Sequence, residues 1–132
     1  MITSRAFDQL MQPLLRYLNV SAPMLSENQG INIDFEYASI RFTPLSRDEL
    51  LIVASLGCLP VEYDHGLAWR LLSQNNFDQP APAITLSVQG DEKTVLLWSR
   101  ERFVNLDGNT LITLFERLVD QLNETIRIFS LR

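Results

Sequence analysis

The chain has 132 residues, 46% of them hydrophobic, which suits one globular domain spanning 1–132, too apolar for disorder and too short for two cores. Its formal net charge is -5, and its cations are arginines apart from the single lysine, Lys93. An acidic surface repels phosphate backbones, so neither nucleic acid nor an anionic membrane is expected as a partner. The one cysteine, Cys58, cannot close an internal disulfide, which fits a reducing cytoplasm. Arg5, Asp8 and Arg16 interrupt the first apolar residues, so no signal-peptide core is expected, and no apolar run approaches the ~18 residues that span a bilayer.

The segment from Ser4 to Asn19 reads as a helix. Phe7, Leu10, Met11, Leu14 and Leu18 recur at three- and four-residue steps, with Arg5, Gln9, Gln12 and Arg16 opposite. Pro13 removes a backbone donor inside it, so a kink or loosened turn is expected there. Leu15 and Tyr17 widen the apolar arc beyond what one contact needs, which points to a partner on part of this face. Residues 21–30, with Pro23 and Gly30, read as a loop.

From Ile31 the period changes to two. Ile31, Ile33 and Phe35 alternate with Asn32, Asp34 and Glu36, a half-buried strand whose acids face solvent. Ala38, Ile40 and Phe42 form a second strand, ended by Pro44 and the polar turn Ser46-Arg47-Asp48. Leu50 to Leu56 is a continuous apolar run, the pattern of a central strand covered on both faces. A short helix from Asp64 as N-cap to Asn76 puts Leu67, Ala68, Leu71 and Leu72 on one face. After Pro80 and Pro82, residues 83–88 and 94–100 read as a hairpin. The last helix starts at Asp107-Gly108-Asn109. Leu111, Leu114, Phe115, Leu118, Leu122, Ile126 and Phe129 make one wide stripe, with Glu116, Asp120, Asn123, Glu124 and Arg127 opposite. The order α-β-β-β-α-β-β-α predicts an α+β fold, an antiparallel twisted sheet flanked by helices.

Chemistry-bearing residues are sparse. His65, the only histidine, sits beside Asp64 at a helix start and reads as an exposed helix-start residue without a catalytic partner. Cys58, ending the most apolar strand, reads as a small buried core residue. No His, Cys, Asp or Glu set has metal-ligand spacing, and the glycines never cluster into a phosphate loop. No catalytic residue, metal or cofactor is expected, and an enzyme is the least favoured class. Glu116, Asp120 and Glu124 read as a solvated ridge. Trp69 lies off the Leu67/Leu71/Leu72 stripe and reads as either a core edge or a subunit contact.

The run Leu56-Gly57-Cys58-Leu59-Pro60, followed by Leu67, Leu71-Leu72 and Asn75-Asn76-Phe77, resembles the LGxLP…LLxxNxF core of class I type III secretion chaperones, the Tir-chaperone-like family. Leu96-Leu97-Trp98, Leu106-Asp107 and the long helix from Leu111 resemble that family's ending, so the likeness covers nearly the whole chain. Each motif is degenerate, and their order and spacing carry the resemblance. Pro13 is unusual for the family, and Ile126 and Phe129 stand where a last-helix tryptophan is common.

The resemblance implies a cytoplasmic homodimer that uses no ATP and binds the N-terminal region of a secreted effector in extended form, keeping it secretion-competent. A regulatory or structural subunit of the same apparatus, such as half of a heterodimer, is the alternative. Leu14, Leu15 and Leu18 on the first helix and Ile40 and Phe42 on the second strand are candidate client contacts. Leu67, Trp69, Leu71 and Leu72 on the short helix are candidate dimer contacts.

Overall fold

The computed structural model describes residues 4–19, 30–45, 48–59 and 65–130, apart from the side chains of residues 4, 5, 65, 129 and 130. In chain order the elements are α1 (Ser4–Tyr17), β1 (Ile31–Asp34), β2 (Ser39–Leu45), β3 (Glu49–Cys58), α2 (His65–Leu72), β4 (Thr85–Gln89), β5 (Thr94–Arg102) and α3 (Gly108–Ser130). A single 3-10 turn, Phe103–Asn105, leads into α3. The strands form one antiparallel five-stranded sheet in the order β1-β2-β3-β5-β4. The α+β order expected from the periodicities is the order observed.

Alternation sorts the strands into an inner and an outer face. Ile40, Phe42, Leu50, Ile52, Ala54, Val95, Leu97 and Leu86 are buried on the inner face. Across it lies α3, whose Leu111, Leu114, Phe115, Leu118 and Leu122 are buried as its stripe requires. Phe115 stacks on Phe42 at 6.2 Å between ring centroids and meets Phe35 at 6.4 Å. Both α1 and α2 pack beside α3, on the same side of the sheet. The start of α3 is held reciprocally: the Thr110 amide donates to Asp107 Oδ1 at 2.8 Å, and the Asp107 amide donates to Thr110 Oγ1 at 2.7 Å. The bonds that the Thr110 amide and hydroxyl donate to it hold the Asp107 carboxyl below its usual range.

Several boundaries move for local reasons. Pro44 does not end β2 but lies within it, opposite Leu50. β1 stops pairing at Phe42, so among the described residues no neighbour on that side needs the missing N–H. Gly57, at φ 107°, sits where the β3–β5 register shifts around Leu56, a bulge that a side chain at 57 would strain. That is the physical content of the glycine in Leu56-Gly57. The short helix ends at Leu72 rather than Asn76, because residues beyond it turn back to bond β4. Of the expected features, the Asp64 cap, the Ser46-Arg47 turn, Pro60 and the loop 21–29 lie outside the described residues, as does the Phe129 side chain.

Pro13 does not break α1, which runs through it. Its ring fits against Gly108: a Cβ built on Gly108 would stand 2.7 Å from Pro13 Cγ and 2.8 Å from its Cβ. A rigid ring at such distances cannot yield as a flexible side chain would, so the proline and the glycine specify each other. Gly108→Ala is expected to destabilise the fold by about 1–3 kcal/mol despite alanine's better helix propensity. Pro13→Ala in the same chain should recover part of that loss. Urea unfolding of the two single variants and the double variant measures the coupling, and additive losses would contradict it.

Candidate partner-binding surfaces

All three helices pack on the inner face, so among the described elements none covers the outer face of the sheet. Its central rows are apolar. Val53 lies between Arg41 and Trp98, Leu51 between Thr43 and Arg100, and Ser55 between Ser39 and Leu96. Leu51, Val53, Leu96 and Trp98 are half-buried, sheltered mainly by one another. Trp98 is fixed by its indole N–H, which donates to Ser87 Oγ at 2.9 Å. Charges rim the patch. Arg100 binds Glu49 with two bonds, Nη2 to Oε1 at 2.9 Å and Nε to Oε2 at 3.3 Å, and that carboxylate raises the guanidinium pKa. This pair is solvent-exposed and fixes geometry more than stability.

A second apolar surface runs from α2 to β4. Trp69 is 71% exposed and Leu72 59% exposed. Beside them Leu59, Ala68, Leu71, Leu86 and Val88 line a groove of about 280 Å³. Phe77, in the loop after α2, is fully exposed at 100%. A third, smaller crevice of about 240 Å³ separates Phe35, Tyr37 and Ala38 from Val119, Leu122 and Ile126 of α3. Single exposed apolar residues are ordinary, but contiguous ones on a small domain mark contact surfaces.

The structure redistributes the residues expected from sequence. Leu14, Leu15, Ile40 and Phe42 are buried core residues and Leu18 is half-buried, so four of the five expected client contacts are enclosed by the protomer itself. Of the expected dimer contacts, Leu67 and Leu71 are buried, whereas Trp69 and Leu72 are open. The widened arc of α1 is explained from within: Leu15 is core, and Tyr17 donates its hydroxyl to Glu116 Oε2 of α3 at 2.7 Å. That bond and the Glu116 charge raise the phenol pKa. The acidic ridge is therefore not merely solvated, since Glu116 receives Tyr17 and Glu124 pairs with Arg127. The described elements cover β3 on one face only, which corrects the expectation for Leu50–Leu56.

The outer-face residues Leu51, Val53, Leu96 and Trp98 were not expected from sequence as contacts, although Leu96 and Trp98 belong to a run that carries the resemblance. Their signal was present in the unbroken apolar run of β3, which has more apolar faces than the chain's own helices cover.

Cys58 is also corrected. It is exposed, because the bulge at Leu56 and Gly57 sets it opposite Thr94, on the outer face with Leu96 and Trp98, and its Sγ lies 4.0 Å from Thr94 Oγ1. His65 opens α2, and its side chain lies outside the described residues. Among the described residues no three His, Cys, Asp or Glu side chains could hold a metal, and no helix is long and apolar enough to cross a membrane. An exposed thiol should react with a disulfide reagent in the native state as fast as in denaturant. Cys58→Ala should change stability by no more than about 0.5 kcal/mol. A thiol that reacts only after unfolding would contradict this placement.

Residues 9–125 match the family model of the Tir chaperone protein (CesT) family, and the chain belongs to that family. The fold recurs in solved structures. In the ExoT-SpcS complex from Pseudomonas aeruginosa the TM-score is 0.72 at 20% identity, over 92% of this chain and 98% of that one. In the Yersinia pestis type III secretion chaperone SycH, solved with a stable fragment of YscM2, it is 0.70 at 18% identity, over 91% and 98%. In the ExsC-ExsE complex it is 0.75 at 17% identity, over 98% and 97%. No curated protein matches the chain by sequence.

Proposed function

We propose that this member of the Tir chaperone protein (CesT) family is a cytoplasmic, ATP-independent and non-enzymatic chaperone. It holds the N-terminal region of one type III secreted effector in extended form and keeps it competent for secretion. The observation that carries the reading is the uncovered outer face of the sheet, with Leu51, Val53, Leu96 and Trp98 at its centre. The neighbouring folds support it, since they were solved as complexes, among them the HopA1-SchA chaperone-effector complex and the heterodimeric ExoU-SpcU complex from the type III secretion system of Pseudomonas aeruginosa.

The physical case starts from shape. The protomer offers shallow apolar patches, so tight binding requires a long, thin interface. An unfolded segment can follow a curved sheet and reach separate patches, at an entropic cost that calls for roughly 1,000–3,000 Å² of buried area. β1 adds a backbone docking line. The Phe35 amide donates to the Ala38 carbonyl at 2.7 Å, so alternation turns the backbone groups of Asn32 and Asp34 away from β2. A client strand can bond there while its alternate side chains enter apolar pockets. The homodimer of this reading forms through Trp69, Leu72 and Val88, the exposed apolar residues at α2 and β4.

Co-purification from the native host, with mass spectrometry of the bound protein, identifies the client. Hydrogen exchange on that complex should then show a client segment protected over a few tens of residues that lacks a cooperative fold when free. A client that stays globular throughout its bound region would favour a regulatory subunit instead. Val53→Glu and Leu96→Glu, which place charges on the outer face, should each weaken client binding at least ~10-fold. Trp69→Glu should shift the dimer to monomer in light scattering, and a wild type that is monomeric at micromolar concentration would refute the dimer.

A further inference from the structure

An antiparallel sheet of this kind has two edges, and here they differ. On β4 the Leu86 amide donates to Asn75 Oδ1 at 2.6 Å, and Asn75 Nδ2 donates to the Leu86 carbonyl at 3.0 Å. Two residues upstream the same arrangement repeats. The Ile84 amide donates to Gln79 Oε1 at 2.8 Å, and Gln79 Nε2 donates to the Ile84 carbonyl at 3.0 Å. A side-chain amide presents a carbonyl and an N–H side by side, as a peptide group does. Two such amides therefore occupy the positions that a sixth strand would take.

Alternation makes this cap nearly complete. Because both backbone groups of Leu86 face outward, those of Ile84 and Val88 face outward too, and among the described residues only Val88 is left without an amide partner. The capping loop is itself anchored to α3. Arg117 Nη2 donates to the Pro80 and Pro82 carbonyls at 2.9 and 3.2 Å and to Gln79 Oε1 at 3.4 Å. Thr125, buried on α3, donates to Gln74 Oε1 at 2.8 Å. At β1, by contrast, no side chain among the described residues bonds the outward backbone of Asn32 or Asp34.

We propose that Asn75 and Gln79 close the β4 edge to strand addition. A partner approaching from that side, a second copy included, meets side chains only, and an extended polypeptide can continue the sheet only at β1. An open edge is a template for unwanted pairing, and a cap on one edge makes strand addition one-sided. This holds whether or not the partner is a secreted effector.

Residue-resolved hydrogen exchange tests it on the intact chain. Asn75→Ala should speed exchange of the Leu86 amide at least ~10-fold, and Gln79→Ala should do the same for Ile84. The Leu97 amide, central in the sheet, should be unchanged in both and reports that the fold is intact. Asn75→Asp keeps the acceptor and should leave the Leu86 amide protected. The Asn75→Ala/Gln79→Ala double variant should form larger assemblies than wild type in sedimentation velocity, in proportion to concentration. Unchanged exchange at Leu86 and Ile84 in the single variants, with Leu97 still protected, would overturn the proposal. So would a double variant that sediments as wild type.

Discussion

The stripe of Leu111, Leu114, Phe115, Leu118 and Leu122 on α3 lies across the inner face of the sheet, and both other helices pack beside it. Its start is set by the Asp107–Thr110 cap and by the contact of Gly108 with Pro13, its middle by Phe115 stacked on Phe42, and its later turns by Thr125 bonded to Gln74. A shift of α3 would therefore disturb α1, the sheet and the loop after α2 together. Each fully buried leucine contributes about 1.5–3 kcal/mol by leaving water, so this helix organises the core as well as spanning it.

One consequence is asymmetry. With α1, α2 and α3 all on the inner face, a chain of 132 residues has no element left, among those described, to cover the outer one. Leu51, Val53, Leu96 and Trp98 then shelter one another on a half-exposed surface. For a protein that acted alone this would be a solubility hazard. For a binding protein it is a prepared surface, and the Arg100–Glu49 pair at its rim holds charged groups in fixed positions around it.

The two edges carry the same asymmetry into the backbone. The residues after α2, which the helical pattern alone would continue to Asn76, instead leave the helix and spend their side-chain amides on β4. Asn75 thereby gains a structural meaning within the Asn75-Asn76-Phe77 segment. Phe77 next to it is left wholly exposed because the loop is pinned by Asn75, Gln79 and Arg117 rather than by its own apolar side chain.

Element type and order were determined by the sequence itself, because a period of 3.6 or 2 in apolar residues is a local property of neighbouring positions. The α3 stripe, the β1 alternation and the hairpin joining β4 to β5 are all of this kind. Family membership was legible for the same reason, since its motifs are spacings of leucine, glycine, proline and asparagine along the chain. What only the tertiary structure decided is which apolar residues remain open. Leu14, Ile40 and Phe42 look no different in sequence from Leu51, Val53 and Trp98, yet α3 covers the first set and nothing described covers the second. Periodicity assigns a residue to a face, but exposure depends on what packs there from distant parts of the chain. Cys58 shows the same limit: its strand is the most apolar in the chain, and only the bulge at Gly57 turns it to the outer face, opposite Thr94, and into solvent.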